Sequence, residues 1–240
     1  MKAPIPQERH PETSLAERAM VGIRDLIRSR GLRPGDSLPS EAALAAHLGV
    51  SRPVTREALR GLATLQLLDI GGSRKAQVAM PDAGAISVIL DHATHANGMS
   101  IQQVLDVRRT LEMRTVCLAA LRRSDAEAAE LLDLSARMIA ALDTNHSVVM
   151  ELDLRFHSVI ARASGNALYA MLVDSFRVIT RKTWAIGWRS RGTRENRLEN
   201  LKCHERIATA ITAQDAGRAE QAMSEHFDSA VNVLLRAGVT

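Results

Sequence analysis

The sequence predicts a mostly α-helical protein in two parts: a small N-terminal unit of helices with a two-stranded β wing, then an all-α bundle of about seven helices. Three observations predict it. Apolar residues recur at helical spacing from residue 14 to residue 236, with capping residues at the breaks. Short β-type segments flank a single turn, at residues 71–75. Charge and rings then divide the chain: residues 1–80 hold 12 Lys and Arg against 8 Asp and Glu, whereas residues 81–240 hold 19 of each and all six aromatic side chains. At 240 residues, 46% hydrophobic and 24% charged, the chain can bury a core, which excludes collagen-like, low-complexity and disordered classes. Two cysteines, Cys117 and Cys203, cannot build a disulfide framework. No secretory pattern opens the chain, and no window approaches the roughly 18 apolar residues of a membrane span. The expected location is the cytoplasm, with no membrane partner.

Residues 1–13 carry Pro4, Pro6 and Pro11 without a period and read as a flexible arm. Ser14 caps a helix to about Arg30 with Ala19, Ile23, Leu26 and Ile27 on one face, and Gly31 stops it. After a turn at Arg33-Pro34-Gly35-Asp36, a short helix runs through Leu48. Gly49 breaks it, and Ser51 caps a third helix from Arg52 to about Leu67, with Leu59, Leu62 and Leu65 expected inside. Two helices joined so tightly form a helix-turn-helix, and Leu68-Asp69-Ile70 with Gln77-Val78-Ala79 supply a wing. The expected division is a winged helix-turn-helix over 14–80, a linker over 81–84 and a helical domain over 85–240. Helices are expected there near 85–97, 100–123, 125–142, 147–164, 167–188, 194–213 and 216–236. Ser124 with Glu127 makes a capping box, Gly165-Asn166 a stop and Asp215 an N-cap.

The basic segment has no ring on which a base could stack, which argues against single-strand binding and leaves duplex grooves open. Its third helix opens with Ser51, Arg52, Thr55 and Arg56. Two guanidiniums can read guanine bidentately, and hydroxyls with the N–H groups of a helix start can hold phosphates. The stretch Leu38-Pro39-Ser40-Glu41-Ala42-Ala43-Leu44-Ala45, followed by Leu48-Gly49-Val50-Ser51-Arg52-Pro53-Val54-Thr55-Arg56-Glu57-Ala58-Leu59, resembles the winged helix-turn-helix of the GntR family of bacterial transcription regulators. The resemblance implies that Arg52 and Arg56 contact double-stranded operator DNA and that Ser73, Arg74 and Lys75 carry the wing toward the minor groove. Ala42 stands where the fatty-acid-responsive branch has a DNA-contacting arginine, and the wing lacks the usual Gly-rich tip. A different operator is therefore expected.

Asp153 and His157 lie four residues apart in Asp-Leu-Arg-Phe-His, so both project from one face of one helix. His204 and His226 lie 22 residues apart with Asp215 midway, so two antiparallel helices turning there return the imidazoles to one level. Three imidazoles and one carboxylate suit Zn²⁺, with Ni²⁺ or another first-row divalent ion as alternatives, and leave room for an anion. The pattern Asp153-x3-His157, Ser164-Gly165-Asn166, His204-Glu205-x-Ile207 and His226 resembles the FCD ligand-binding domain of the FadR-like branch of that family. In its metal-binding members these four positions are the ligands and a small carboxylate binds beside the metal. Asp91, His92 and His95 form a rival cluster, read as surface, and Cys203 points away from His204.

Asp106-Val107-Arg108-Arg109-x2-Glu112 resembles the family segment whose first arginine faces the effector cavity, which makes Arg108 the expected carboxylate clamp; an Arg108–Glu112 ion pair is the alternative. Trp184 and Trp188 share a face and are expected in the core or a dimer contact, with pocket lining as the alternative. The whole reads as a homodimeric transcription regulator, a repressor, controlled by a small carboxylate effector. The competing class is a metal-dependent hydrolase, against which stand the lack of a His-Glu-x-x-His run and the divergent positions of Glu205 and Glu225.

Overall fold

The computed structural model describes residues 14–71, 75–80, 82–96 and 98–239, so the expected arm and the wing residues Ser73 and Arg74 lie outside it. The chain divides into two compact units, Met1–Ala85 and Ile86–Thr240. In the first, α1 (Leu15–Ser29) starts at a capping box: Ser14 Oγ accepts from Glu17 N–H and Glu17 Oε2 accepts from Ser14 N–H. Helix α2 (Glu41–Leu48) is capped by Ser40 and ends at Gly49, whose φ of 65° is the left-handed conformation that glycine adopts freely. Helix α3 (Arg52–Thr64) is capped by Ser51 with Pro53 in its first turn. Ile23, Leu38, Leu44, Ala58, Leu62 and their neighbours make one small core.

The expectation that Leu65 is core is corrected: α3 stops at Thr64, Leu65 is its C-cap, and the side chain is 44% exposed. Gln66 then takes a φ of 57°, so the chain turns and Leu68 is buried instead. Strands β1 (Leu68–Asp69) and β2 (Gln77–Val78) pair antiparallel, Leu68 opposite Val78. The segment before α2 ties down the other edge of β2, through Gly35 N–H to Val78 O at 2.8 Å and Val78 N–H to Asp36 O at 2.9 Å. These bonds pin β2 to the segment between α1 and α2.

The second unit is built from α4 (Gly84–His95), whose first two residues belong to the first unit, α5 (Ile101–Arg122), α6 (Asp125–Ala140), α7 (His146–Ala163), α8 (Ala167–Ser175), α9 (Arg177–Ser190), α10 (Arg194–Thr212) and α11 (Ala216–Arg236). Gly84 already opens α4, so helix begins within the expected linker. The capping box at Ser124, the φ of 70° at Gly165 and the cap at Asp215 set the ends of α6, α7 and α11. One expected helix is two: residues 167–188 break at Phe176. Ser175 Oγ donates to Leu172 O at 2.6 Å, and Phe176 N–H turns to Val173 O, three residues back. A side-chain hydroxyl competing for a helical carbonyl bends the helix in this way. Phe156, Phe227, Leu131, Ile160, Leu201 and Ile207 anchor a continuous core among α5, α6, α7, α10 and α11. No helix among the described residues is long and apolar enough to cross a membrane.

Candidate metal centre and nucleic-acid interface

In the second unit, α7 carries Asp153 and His157 on its buried face, α10 carries His204 and α11 carries His226, and all four side chains are buried. One nitrogen from each histidine lies within 4.8 Å of the others, and no other such group of three potential ligands occurs among the described residues. His204 Nε2 lies 2.8 Å from Asp153 Oδ1, but off the axis that a ring N–H bond requires, so it counts as unpaired. His157 Nε2 and His226 Nδ1 are likewise buried without a hydrogen-bond partner. Leaving such a group unsatisfied costs about 1–3 kcal/mol. A divalent cation would satisfy all three, and three imidazoles with one carboxylate are a donor set that fits it.

Outward-facing nitrogens are already used: His157 Nδ1 is bonded to Glu112 Oε2, and His204 Nδ1 donates to Asn200 O at 3.0 Å. Burial alone would raise the Asp153 carboxyl, but His204 beside it, with His157 and His226 behind, holds it well below the usual carboxylate range. Burial, joined by His204 and His157, pushes the His226 imidazole far below its ordinary value. An ionised carboxylate and a neutral imidazole are the protonation states that bind metal.

A cavity of about 70 Å³ adjoins the cluster, walled by Arg108, Asp153, His157, Trp188, Arg191 and His226. A larger chamber of about 300 Å³ shares Arg191, Asn200 and His226 with it. Arg108 lines the cavity and makes the Arg108–Glu112 ion pair that stood as the alternative, Nε meeting Glu112 Oε1 at 2.5 Å, while Nη1 donates to Thr180 Oγ1 at 2.9 Å. Trp184 and Trp188 stack at 4.9 Å, packing on the core with one face and lining the cavity with another.

Arg191 is a residue the sequence reading missed. It donates to Asn200 Oδ1 at 2.7 Å and to Gly187 O at 3.2 Å, and has no carboxylate within ion-pair distance among the described residues. Burial pushes its guanidinium down, while Asp153 pulls it up. Asn200 is legible as the residue one turn before His204; Arg191 sits past the end of α9 and gives no local signal. Asp91 is taken by Lys182 at 2.5 Å, and His92 and His95 are exposed. Cys203 is buried, with Sγ against Ala222 O at 3.4 Å, outside the cluster. Glu205 and Glu225 face solvent.

In the first unit, Arg52, Arg56, Arg60 and Lys75 line one surface hollow beside Glu41. Arg60, four residues beyond Arg56, completes a stripe at helical spacing that the sequence already displayed. Ser51 spends its hydroxyl on the cap, accepting from Val54 N–H at 3.4 Å. The expectation that Thr55 offers its hydroxyl to DNA is corrected: Thr55 shares the inward face with Leu59 and Leu62, is fully buried, and donates to Ser51 O at 3.1 Å. Arg56 is held by Glu41 of α2, with Nη2 to Oε2 at 2.8 Å.

The family model described as bacterial regulatory proteins, gntR family, matches residues 15–75, and that of the FCD domain matches residues 103–229. The HTH-type transcriptional regulator LutR of Bacillus subtilis (strain 168) is 31% identical over 217 residues, 87% of this chain and 96% of that protein. The HTH-type transcriptional repressor NanR of Salmonella newport (strain SL254) is 29% identical over 228 residues, 90% of this chain and 83% of that one. Among solved structures, Streptococcus agalactiae GntR shares the fold at a TM-score of 0.60, covering 89% of this chain and 97% of that one at 24% identity.

Proposed function

Because the chain belongs to the GntR family of bacterial regulatory proteins, and is a DNA-binding transcription regulator rather than an enzyme, we propose that it is a homodimeric repressor whose operator affinity is set by a small organic acid bound at a metal ion in the FCD domain. One observation carries the reading: three buried imidazole nitrogens from three helices converge without hydrogen-bond partners beside a cavity walled by two arginines. Asp153, His157, His204 and His226 would hold the ion, Zn²⁺ before Ni²⁺ or another first-row metal. When bound, it supplies a Lewis-acidic point on which a carboxylate can sit. Arg191 offers that carboxylate a cation that has no carboxylate within ion-pair distance among the described residues, Arg108 lines the same cavity, and Trp184 and Trp188 exclude water from one side. The name of one relative, a repressor, supports the direction of control.

On the DNA side, Arg52 and Arg56 read bases at the start of α3, and Arg60 and Lys75 hold phosphates. Two copies related by a two-fold axis would meet matched half-sites. The acid can alter operator affinity only by binding the two arrangements of the dimer differently. Elemental analysis of purified protein, sedimentation, and a gel shift on the DNA upstream of its own gene with and without a panel of organic acids test the proposal. Expected are one divalent ion per chain, a dimer, and release of DNA by at least one acid. Metal that survives in both Asp153→Ala and His204→Ala would show the ligand set to be wrong.

A further inference from the structure

The FCD domain holds a buried carboxylate that the metal reading above does not use. We infer that Glu112 is the positioning residue of the metal centre, turning the His157 ring so that Nε2 faces the ion, and that Arg108 and Thr180 brace that carboxylate from behind. The inference rests on the metal reading.

Glu112 is 1% exposed, on α5, one turn beyond Arg108. Both of its oxygens are occupied: Oε2 meets His157 Nδ1, and Oε1 takes Arg108 Nε at 2.5 Å. Arg108 Nη1 donates onward to Thr180 Oγ1 at 2.9 Å, and Thr180 Oγ1 donates to Phe176 O at 3.0 Å. The chain of contacts runs from the metal ligand through three side chains to the backbone at the α8–α9 bend. An imidazole whose Nδ1–H is donated to a carboxylate has its lone pair on Nε2, and Nε2 is the atom of His157 left unpartnered within the cluster. His204 follows the same rule with a weaker acceptor, the Asn200 carbonyl. Among the three histidines, His157 alone is backed by a charge. Stability gives no reason to place a carboxylate there, since a buried ion pair about breaks even against apolar side chains of the same volume. A carboxylate behind a ligand histidine raises its basicity and fixes its rotamer, and losing one weakens metal binding by about 10- to 100-fold.

The test uses the full chain stripped of metal, with Zn²⁺ titrated against a chromophoric chelator and Co²⁺ added separately for its d–d absorption. Wild type is expected to bind both ions. Glu112→Gln should bind Zn²⁺ about 10- to 100-fold more weakly and give a shifted Co²⁺ spectrum at saturation, with unchanged far-UV circular dichroism. A role in folding alone would lower the melting temperature of the apo protein and leave the Co²⁺ spectrum as it is. Should Glu112→Gln fail to fold, Arg108→Met with Glu112→Leu removes the buried pair as a unit, and the same weakening is expected. Unchanged Zn²⁺ affinity and an unchanged Co²⁺ spectrum in a folded variant overturn the inference. A wild-type protein that binds neither ion overturns the metal reading itself, and with it any role for Glu112 in positioning a ligand.

Discussion

The stripe of arginines on α3 and the histidine cluster between α7, α10 and α11 are both sets of polar side chains awaiting a partner, and they wait at opposite depths. Arg52, Arg56 and Arg60 are exposed to water, which solvates a guanidinium at little cost, and Arg56 is already paired with Glu41. Asp153, His157, His204 and His226 stand in the core of the FCD domain, where each unsatisfied nitrogen costs stability until something binds. Surface charge therefore reads out as rate, salt dependence and specificity on DNA. The buried cluster reads out as stability that is coupled to a ligand.

The sharpest way to break this contrast is to empty the buried site. Removing metal with a chelator should destabilise the FCD domain by RT ln(1 + [L]/Kd), about 4 kcal/mol when free metal stands at a thousandfold over Kd. His204→Ala should have the same low melting temperature with or without metal. The first unit, with no ligand nitrogen in its core, should melt unchanged. A calorimetric scan in which both units shift together would erase the distinction.

Next in size are the arginines. Arg52→Ala or Arg56→Ala should cost about 1–3 kcal/mol in operator affinity and relax specificity at one base pair each. Arg60→Ala should weaken all sequences alike and lower the slope of log K against log salt by about one. None should move the metal content. Operator affinity unchanged from wild type in both Arg52→Ala and Arg56→Ala would sink the reading-helix assignment.

Acid sharpens the comparison further. The His226 imidazole is held far below its ordinary value by burial, with His204, His157 and Arg108 adding to the shift, so the unfolded chain takes up its proton first as pH falls. Stability carried by the neutral ring is complete above the unfolded value of about 6.5 and is lost below it, by up to about 1.4 kcal/mol per pH unit. Asp153 is depressed, so its contribution persists to lower pH and goes only as pH drops below the ordinary carboxylate value toward its own. Denaturant melts of apo protein between pH 7.5 and 5 should show the FCD domain weakening and the first unit flat. His226→Gln should remove most of the slope near pH 6, and an unchanged slope would mean that another group titrates there.

Much of this was legible in the chain because local rules carried it. Capping boxes at Ser14 and Ser124, the left-handed Gly49 and the spacing of Asp153, His157, His204 and His226 are statements about one or two helices, and helical geometry converts them directly into positions. What escaped depends on contacts between elements. Thr55 was expected to contact DNA together with Arg52 and Arg56, yet its angle about α3 puts it beside Leu59 and Leu62. Arg191 reaches the cavity only because the turn after α9 brings it to Asn200. Glu112 was visible as a partner for Arg108, but nothing in the spacing says that its second oxygen meets His157, 45 residues on.

The smallest expected effect lies in the Glu41–Arg56 pair. Arg56 is exposed and Glu41 half-buried, and ion pairs at a surface contribute little, so Glu41→Gln should leave the melting temperature of the first unit within error. Its effect belongs on DNA. Glu41 places a negative charge beside the hollow lined by Arg52, Arg56, Arg60 and Lys75 and holds the Arg56 guanidinium in one orientation. Removing the charge strengthens attraction to any duplex, while releasing Arg56 costs side-chain entropy when it must again be ordered on one base pair. Glu41→Gln should therefore bind random-sequence DNA more tightly and narrow the ratio of specific to non-specific affinity, measured at one fixed salt concentration. A variant in which the ratio holds while both affinities rise would mean that Glu41 acts on DNA through charge alone and that Arg56 needs no holding.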